Sequence, residues 1–449
     1  MTQFPFALTN EPRFAGQLPD ECDVVIIGGG IIGVMTAYYL AEMGVSVVLC
    51  EKGRVAGEQS GRNWGWIRQQ GRDFSELPIM MESLSLWQAL AAECGPDLGF
   101  EQHGTLYLAR GHDEMFGFET WMAEARGAHG LDVRLQSRGQ VHDRIANAAA
   151  LWMGGLYTAS DARAEPWTAV PVLAAAAERL GAVIVEDCAV RRLDLAGGRI
   201  CGVVTEYGRV ACEQVVVAGG AWSALFLRAH GVALPQLSVL ASVAKTKPMP
   251  EVFAGNAADD KFAFRRRVDG SYTIACGQAH DFWIGPDAFR NLRPYLPTLR
   301  HDFRSTRFRL RAPEFYPDAW GTPRKWGEDD VSPFERQRLL HPAPNMRLLA
   351  QAQDEFAKAL PALGRPEIDL AWAGLIDTLP DQVPVIDRVE AVPGLIVATG
   401  MSGHGFGIGP GVGKVVANLV EDQPTGHDLT RFRFGRFAGG ARIVPARGL

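Results

Sequence analysis

The sequence predicts an α/β protein in which a buried parallel sheet is assembled from separated stretches of chain, while the insertions between them build a second, α+β unit. Three observations carry this expectation. A complete strand–helix–strand unit opens the chain at residues 23–51, and apolar strands of the same buried type recur at 215–220 and 395–400. Between them the chain changes character, turning aromatic, arginine-rich and proline-rich from about 239 to 311. At 449 residues there is room for two or three domains of roughly 150 residues each.

The elements follow in order. Residues 23–27 form a β-branched run, as a strand covered on both faces should be. Residues 34–43 read as a helix of small and apolar residues, closed by Gly44, and 45–50 as a second apolar strand. Helical spacing appears at 77–93 and in the alanine-rich stretch 167–180. Strands are expected at 182–186 and 190–193, followed by a hairpin of 200–205 with 210–212 about Gly208. A last helix is expected to start near Gly409 or Gly411 and run to Glu421, leaving a tail without clear periodicity.

Composition narrows the function. Hydrophobic residues make up 47% and charged residues 21%, close to globular averages, which excludes a disordered or fibrous chain. The formal net charge of -6 excludes a global basic field for nucleic acid. The seven cysteines are odd in number and scattered, so a reducing, cytoplasmic setting is expected rather than a disulfide framework. No secretion signal, membrane span or metal-ligand spacing is read from the sequence.

The turn between the first strand and helix reads Gly28-Gly29-Gly30-Ile31-Ile32-Gly33. Gly28 permits the tight turn, Gly30 lets a pyrophosphate approach the backbone, and Gly33 allows close helix–strand packing. The helix N-terminus, at Ile31 and Ile32, offers N–H groups and positive partial charge to phosphates. Glu51 ends the second strand eighteen residues beyond Gly33, placed to accept hydrogen bonds from a ribose diol and to disfavour a 2′-phosphate.

This unit is the first of four pieces. The second is Ser-Gly-Arg-Asn-Trp-Gly-Trp-Ile-Arg-Gln-Gln-Gly at 60–71, the third Val-Val-Val-Ala-Gly-Gly-Ala-Trp at 215–222. The fourth is Thr-Leu-Pro-Asp-Gln-Val-Pro-Val-Ile-Asp at 378–387, followed by Val-Ala-Thr-Gly-Met-Ser-Gly-His-Gly-Phe at 397–406. In this order the chain resembles the FAD-dependent amine and amino-acid oxidoreductases of the D-amino-acid oxidase and monomeric sarcosine oxidase type. The resemblance implies a Rossmann-like FAD-binding domain of discontinuous segments (20–95, 150–238 and 345–425). It also implies a substrate domain with a large mixed or antiparallel sheet (96–149 and 239–344) and a tail at 426–449.

The resemblance further implies which residues hold FAD. Besides the glycine turn and Glu51 they are Lys52; Ser60, Arg62, Asn63, Trp64, Gly65 and Trp66 in the early loop; and Val190, Ala218, Gly219 and Trp222 near the adenosine. In the late pieces they are Gly374, Asp381, Gly403, His404, Gly405, Phe406 and Gly407. A reduced flavin carries negative charge at its N1–C2=O edge, and the run Gly403, Gly405, Gly407, Gly409 ahead of a helix exposes N–H donors for it. His404 lies in that loop as a candidate catalytic residue, with a backbone-bonded loop histidine as the alternative reading. Three departures from the family pattern stand out. Gly374 occupies the position of a cysteine that can hold flavin covalently, Asn63 and Trp64 stand where relatives carry a linking histidine, and Gly407 replaces a carboxylate-binding lysine. Non-covalent FAD is therefore expected.

Arg68 matches an arginine that binds substrate carboxylate, an arrangement that fixes the Cα–H over the flavin. The alternative is a surface arginine paired with Asp73 or Glu76. Arg265 and Arg267 share one strand face and Arg266 takes the other; one face reaches the active site or solvent. Tyr272, Trp283, Trp326 and Trp372 are candidate cavity walls. The resemblance implies oxidation of the C–N bond of a sarcosine-, proline-, pipecolate- or iminodiacetate-like acid by hydride transfer to FAD. The arginine-rich early loop suits a diacid, and dioxygen or a quinone is the acceptor. A flavin-binding subunit of a larger amine dehydrogenase, or a hydroxy-acid oxidase, are the alternatives.

Overall fold

Alternation along the first strand sets the architecture. In Val24–Ile27, Val24 and Ile26 enter one apolar cluster and Val25 enters another, as the two-residue repeat of a strand dictates. The computed structural model describes residues 4–277, 279–302, 306–440 and 443–449. In it this strand lies within a six-stranded sheet ordered Val385–Arg388, Leu395–Thr399, Gln214–Val217, Val24–Ile27, Val47–Cys50, Val183–Val185. All neighbours run parallel except the edge strand Val385–Arg388. Helices Ile31–Glu42, Leu77–Cys94, Pro166–Arg179 and Gly405–Val420 cover one face. The antiparallel strands Val190–Ala196, Arg199–Thr205 and Gly208–Ala211, with helix Ser223–Ala229, cover the other.

The helix expected to start near Gly409 or Gly411 starts instead at Gly405. Its glycines serve packing rather than a turn. A Cβ on Gly409 would lie 2.4 Å from Ile31 Cγ1, one on Gly411 2.6 Å from the Ile79 carbonyl, and one on Gly413 2.5 Å from Met35 Cβ. The helix thereby packs closely on Ile31–Glu42, the helix of the first glycine turn, through Gly409 and Gly413, and on Leu77–Cys94 through Gly411.

The second sheet is mixed and holds ten strands among the described residues. Its path runs Thr306–Arg309, His280–Trp283, Leu237–Thr246, Tyr272–Cys276, Phe262–Arg266, Asn256–Ala258, Thr105–Ala109, Gly154–Thr158, Val133–Ser137, with Ile368–Thr378 paired to Leu237–Thr246. Two stretches that the sequence reading gave to the nucleotide-binding segments belong here. Strand Gly154–Thr158 pairs with Thr105–Ala109, and helix Met346–Ala359 buries Leu349 and Phe356 in the cluster of this sheet. Strand 368–378 extends the same sheet towards the first one.

The tail, which shows no periodicity in the sequence, docks onto the rest of the fold. Phe432 is fully buried, and Arg436 forks onto Asp381 at 2.8 and 3.1 Å. Residues 446 and 449 donate backbone hydrogen bonds to the Asp381 and Gly71 carbonyls. Arg442 lies outside the described residues. Among those residues, no helix is long and apolar enough to cross a membrane.

Candidate active site

Carboxyl ends of parallel strands gather ligands because helix N-termini point there. Here the ends of the strands at 27, 50, 217 and 399 open into one cavity of about 380 Å³, closed on the far side by strand residues 374–377 and by Ala241, Val243 and His280 of the second sheet.

The glycine turn behaves as its spacing requires. Gly28 has φ +115°, and a Cβ on Gly33 would fall 2.0 Å from the Gly28 carbonyl oxygen, so only glycine lets this helix approach its strand. Gly33 therefore packs rather than lining the cavity. A Cβ on Gly30 would meet only Ser60 Oγ, at 3.2 Å, leaving the phosphate approach open. Ser60 Oγ accepts from the Ile31 N–H at 2.9 Å. The Glu51 carboxylate accepts from the N–H groups of Gly29 and Gly53, both at 2.7 Å, and burial pushes its carboxyl up despite Lys52 and those donors. Lys52 donates to the Gln337 and Arg338 carbonyls and lies over the Trp222 ring.

Gly30, Ile31, Ile32, Glu51, Lys52, Ser60, Arg62, Asn63, Trp64 and Trp66 line the cavity, as do Val190, Ala218, Gly219, Trp222 and Gly374. At the other end Gly403, His404, Gly405 and Phe406 join them at the start of helix Gly405–Val420. The first N–H groups of a helix have no intrahelical acceptor, which gives this end the positive partial charge expected of the glycine loop. Trp66 Nε1, Trp222 Nε1 and Ser223 Oγ are buried polar atoms without a protein partner, all on residues that line the cavity. Two helix N-termini, an acidic residue at the second strand end and these unmatched donors fit a dinucleotide such as FAD. Gly374 offers it no side chain for a bond.

Several expected site residues lie elsewhere. Gly65 (φ +79°) packs on the Ala164 carbonyl and the Arg265 guanidinium, and Gly407 packs on the backbone at Ile67. Asp381 is taken by Arg436 of the tail. Arg265 is fully buried in an ion pair with Glu165, which Arg267 shares at 2.7 Å. Tyr272 is buried in the second sheet's core, its hydroxyl accepting from the Val252 N–H and donating to the Pro250 carbonyl. Trp283 packs edge-on against Tyr316, Trp326 donates to the Arg191 carbonyl, and Trp372 donates to the Arg62 carbonyl. None of these four aromatics lines the cavity.

Four arginines do reach it. Arg54 pairs with Asp187, while Arg62 spends its three nitrogens on the Gly57 and Ala373 carbonyls and His341. Arg72 pairs with Glu76 at 3.1 Å. Arg68 makes one hydrogen bond, to the Gln70 carbonyl, and lies over the Tyr107 ring; no carboxylate partner is found for it among the described residues. The surface pairing with Asp73 or Glu76 is not formed, since Glu76 bonds Arg72 and His404. Trp64 and Trp66 stack edge-on at 5.3 Å, and Trp66 continues to Tyr107 at 6.5 Å, making an aromatic wall beside Arg68.

Sequence reasoning missed Asp377, His280, Ala241, Val243 and Ile376 on the cavity wall. The Asp377 carboxylate accepts from the Gly400 N–H, Gln236 and Thr399, and burial raises its carboxyl. Its place directly before the Thr-Leu-Pro-Asp piece was the one available signal.

The chain is similar to several known proteins. L-amino acid deaminase from Proteus myxofaciens, solved in complex with anthranilate, superposes with a TM-score of 0.90 at 30% identity, over 95% of this chain and 97% of its own. Mitochondrial dimethylglycine dehydrogenase of Mus musculus is 24% identical over 95% of this chain, which spans only 46% of that protein. Sarcosine oxidase subunit beta of Rhizobium meliloti is 24% identical over 94% of this chain and 89% of its own length. The family described as FAD dependent oxidoreductase (DAO) matches residues 23–419. With that match covering most of its length, the chain belongs to the DAO family of FAD-dependent oxidoreductases.

Proposed function

We infer that the protein oxidises the C–N bond of a small amino or imino acid, giving an imine that water hydrolyses. FAD, when bound, supplies the hydride acceptor. The observation that carries the reading is Arg68, a cavity-lining guanidinium with donors left for a carboxylate. A bidentate arginine holds a carboxylate and so orients the neighbouring Cα–H. Arg62 and Arg72 are committed to protein groups, so the cavity provides for one carboxylate rather than two. That supports a monocarboxylic substrate over an iminodiacetate-like one. The aromatic wall of Trp64 and Trp66 supports an apolar substituent on it, in keeping with the aromatic acid anthranilate bound by the Proteus relative.

Neutral amines release hydride without a strong base, because the nitrogen lone pair stabilises the developing cation. The chain's part is to bind the acid in one orientation and exclude water. The test is to reconstitute the protein with FAD and add amino acids, hydroxy acids and simple amines anaerobically. Bleaching by amino acids supports the reading; bleaching only by hydroxy acids, or by none, refutes it. A second reading, a flavin-binding subunit of a larger amine dehydrogenase, draws on the likeness to the Rhizobium subunit. A lone chain that binds FAD yet is reduced by no amine would favour it.

A further inference from the structure

Two cavity-lining residues, Arg68 and His404, stand 336 positions apart in the chain, and one buried guanidinium joins them. Arg72 Nε donates to the Arg68 carbonyl at 3.0 Å and Nη2 to the His404 carbonyl at 3.1 Å. Its Nη1 donates to Glu76 Oε2 at 3.1 Å, and the same carboxylate oxygen meets His404 Nδ1 at 3.1 Å. Arg72 and Glu76 are 1% and 0% exposed. The four residues form a closed bracket with its charges inside the protein.

We propose that Arg72 and Glu76 are positioning residues, holding Arg68 and His404 so that Arg68 takes the substrate carboxylate and the neutral His404 ring accepts a hydrogen bond from its amino group. This rests on the amino-acid reading above. The chemistry follows from the contacts. An ionised carboxylate only accepts, so His404 Nδ1 carries the proton that bonds Glu76; in the neutral ring Nε2 is then unprotonated and an acceptor. Glu76 remains ionised: burial pushes its carboxyl up, but His404 and Arg72 together hold it below the usual range. His404 is lowered to about 4, by burial first and by Arg72 and Arg68 next, against the pull of Glu76. Arg72, Glu76 and Arg68 are the charged groups that act most strongly on the ring among the described residues. Near pH 7 the ring is therefore neutral, and a fifth of its side chain is exposed where it lines the cavity.

The test uses the FAD-loaded full chain labelled with 15N-histidine. In the wild type the His404 signals should report the Nδ1–H tautomer from pH 5 to 8, and an Nε2–H tautomer would overturn the proposal. Glu76→Gln can accept or donate, so the expected result is a mixture of tautomers and about a tenfold rise in KM for amino acids. Arg72→Lys keeps a charge but cannot reach two carbonyls and a carboxylate together. It should raise the dissociation constant for benzoate, read from the flavin spectrum, about tenfold. Unchanged tautomer and unchanged benzoate binding in both variants would overturn the proposal. The tautomer and benzoate readouts need no turnover. A protein that no amino acid reduces, yet which shows these shifts, would refute the amino-acid reading while leaving the bracket intact.

Discussion

Replacing Arg68 by Met tests the substrate reading most directly. Met keeps most of the apolar stem and removes the guanidinium, which lies over Tyr107 and whose one hydrogen bond among the described residues goes to the neighbouring Gln70 carbonyl. The fold therefore loses little. A ligand carboxylate loses charged hydrogen bonds worth about 1.5–3 kcal/mol in total effect. At 1.4 kcal/mol per decade this is roughly a 10–150-fold weakening. The assay is anaerobic flavin reduction by an amino acid and by the amine that lacks its carboxylate. The wild type should prefer the acid; Arg68→Met should lose that preference, with the amine nearly unaffected, and Arg68→Lys should fall between because an ammonium cannot form the fork. Equal binding of the acid by wild type and Arg68→Met, with flavin content intact, would refute the assignment.

Other expectations follow from the packing and the titrations. Gly413→Ala places a Cβ within 2.6 Å of both Cβ and carbonyl carbon of Met35, so it should cost about 1–3 kcal/mol and weaken FAD retention. Gly117→Ala, with open space in a helix, should be neutral or stabilising; thermal melts of the FAD-loaded proteins compare the two. Glu165→Gln leaves Arg265 and Arg267 buried without their shared carboxylate and should cost about 3–5 kcal/mol in denaturant titrations. His230 accepts from the Leu193 N–H and donates to the Phe226 carbonyl, and burial lowers it to about 4. The unfolded chain then binds the extra proton, so stability falls as the pH drops from 6.5 through 4, by at most about 3 kcal/mol. His230→Gln should lessen the fall of the denaturation midpoint across that window, the remainder coming from groups such as His404, likewise lowered to about 4.

Local chemistry was legible in the sequence. The glycine turn declares its tight packing within a few residues, and the parallel strands advertise themselves by being apolar on both faces. Long-range pairing was not legible. Alternation correctly put Arg265 and Arg267 on one face, but their partner Glu165 lies a hundred residues away and nothing nearby names it. The glycines at 405, 407 and 409 read as a loop ahead of the helix because their spacing is the same whether they free the backbone or let a helix pack closely. Asp381 likewise sits in a recognisable motif while its charge answers arginines of a tail that has no periodicity to announce it.

The glycine-to-backbone contact between helices Ile31–Glu42 and Gly405–Val420 has a mechanical consequence. One helix begins at the first glycine turn and the other at the late glycine loop, both on the cavity, and the close contacts at Gly409 and Gly413 leave little room between them to absorb strain. The two ends of the cradle must shift as one piece. A fragment such as adenosine diphosphate alone would then stiffen the distant His404 end as well, and hydrogen exchange at residues 405–408 would slow upon its addition.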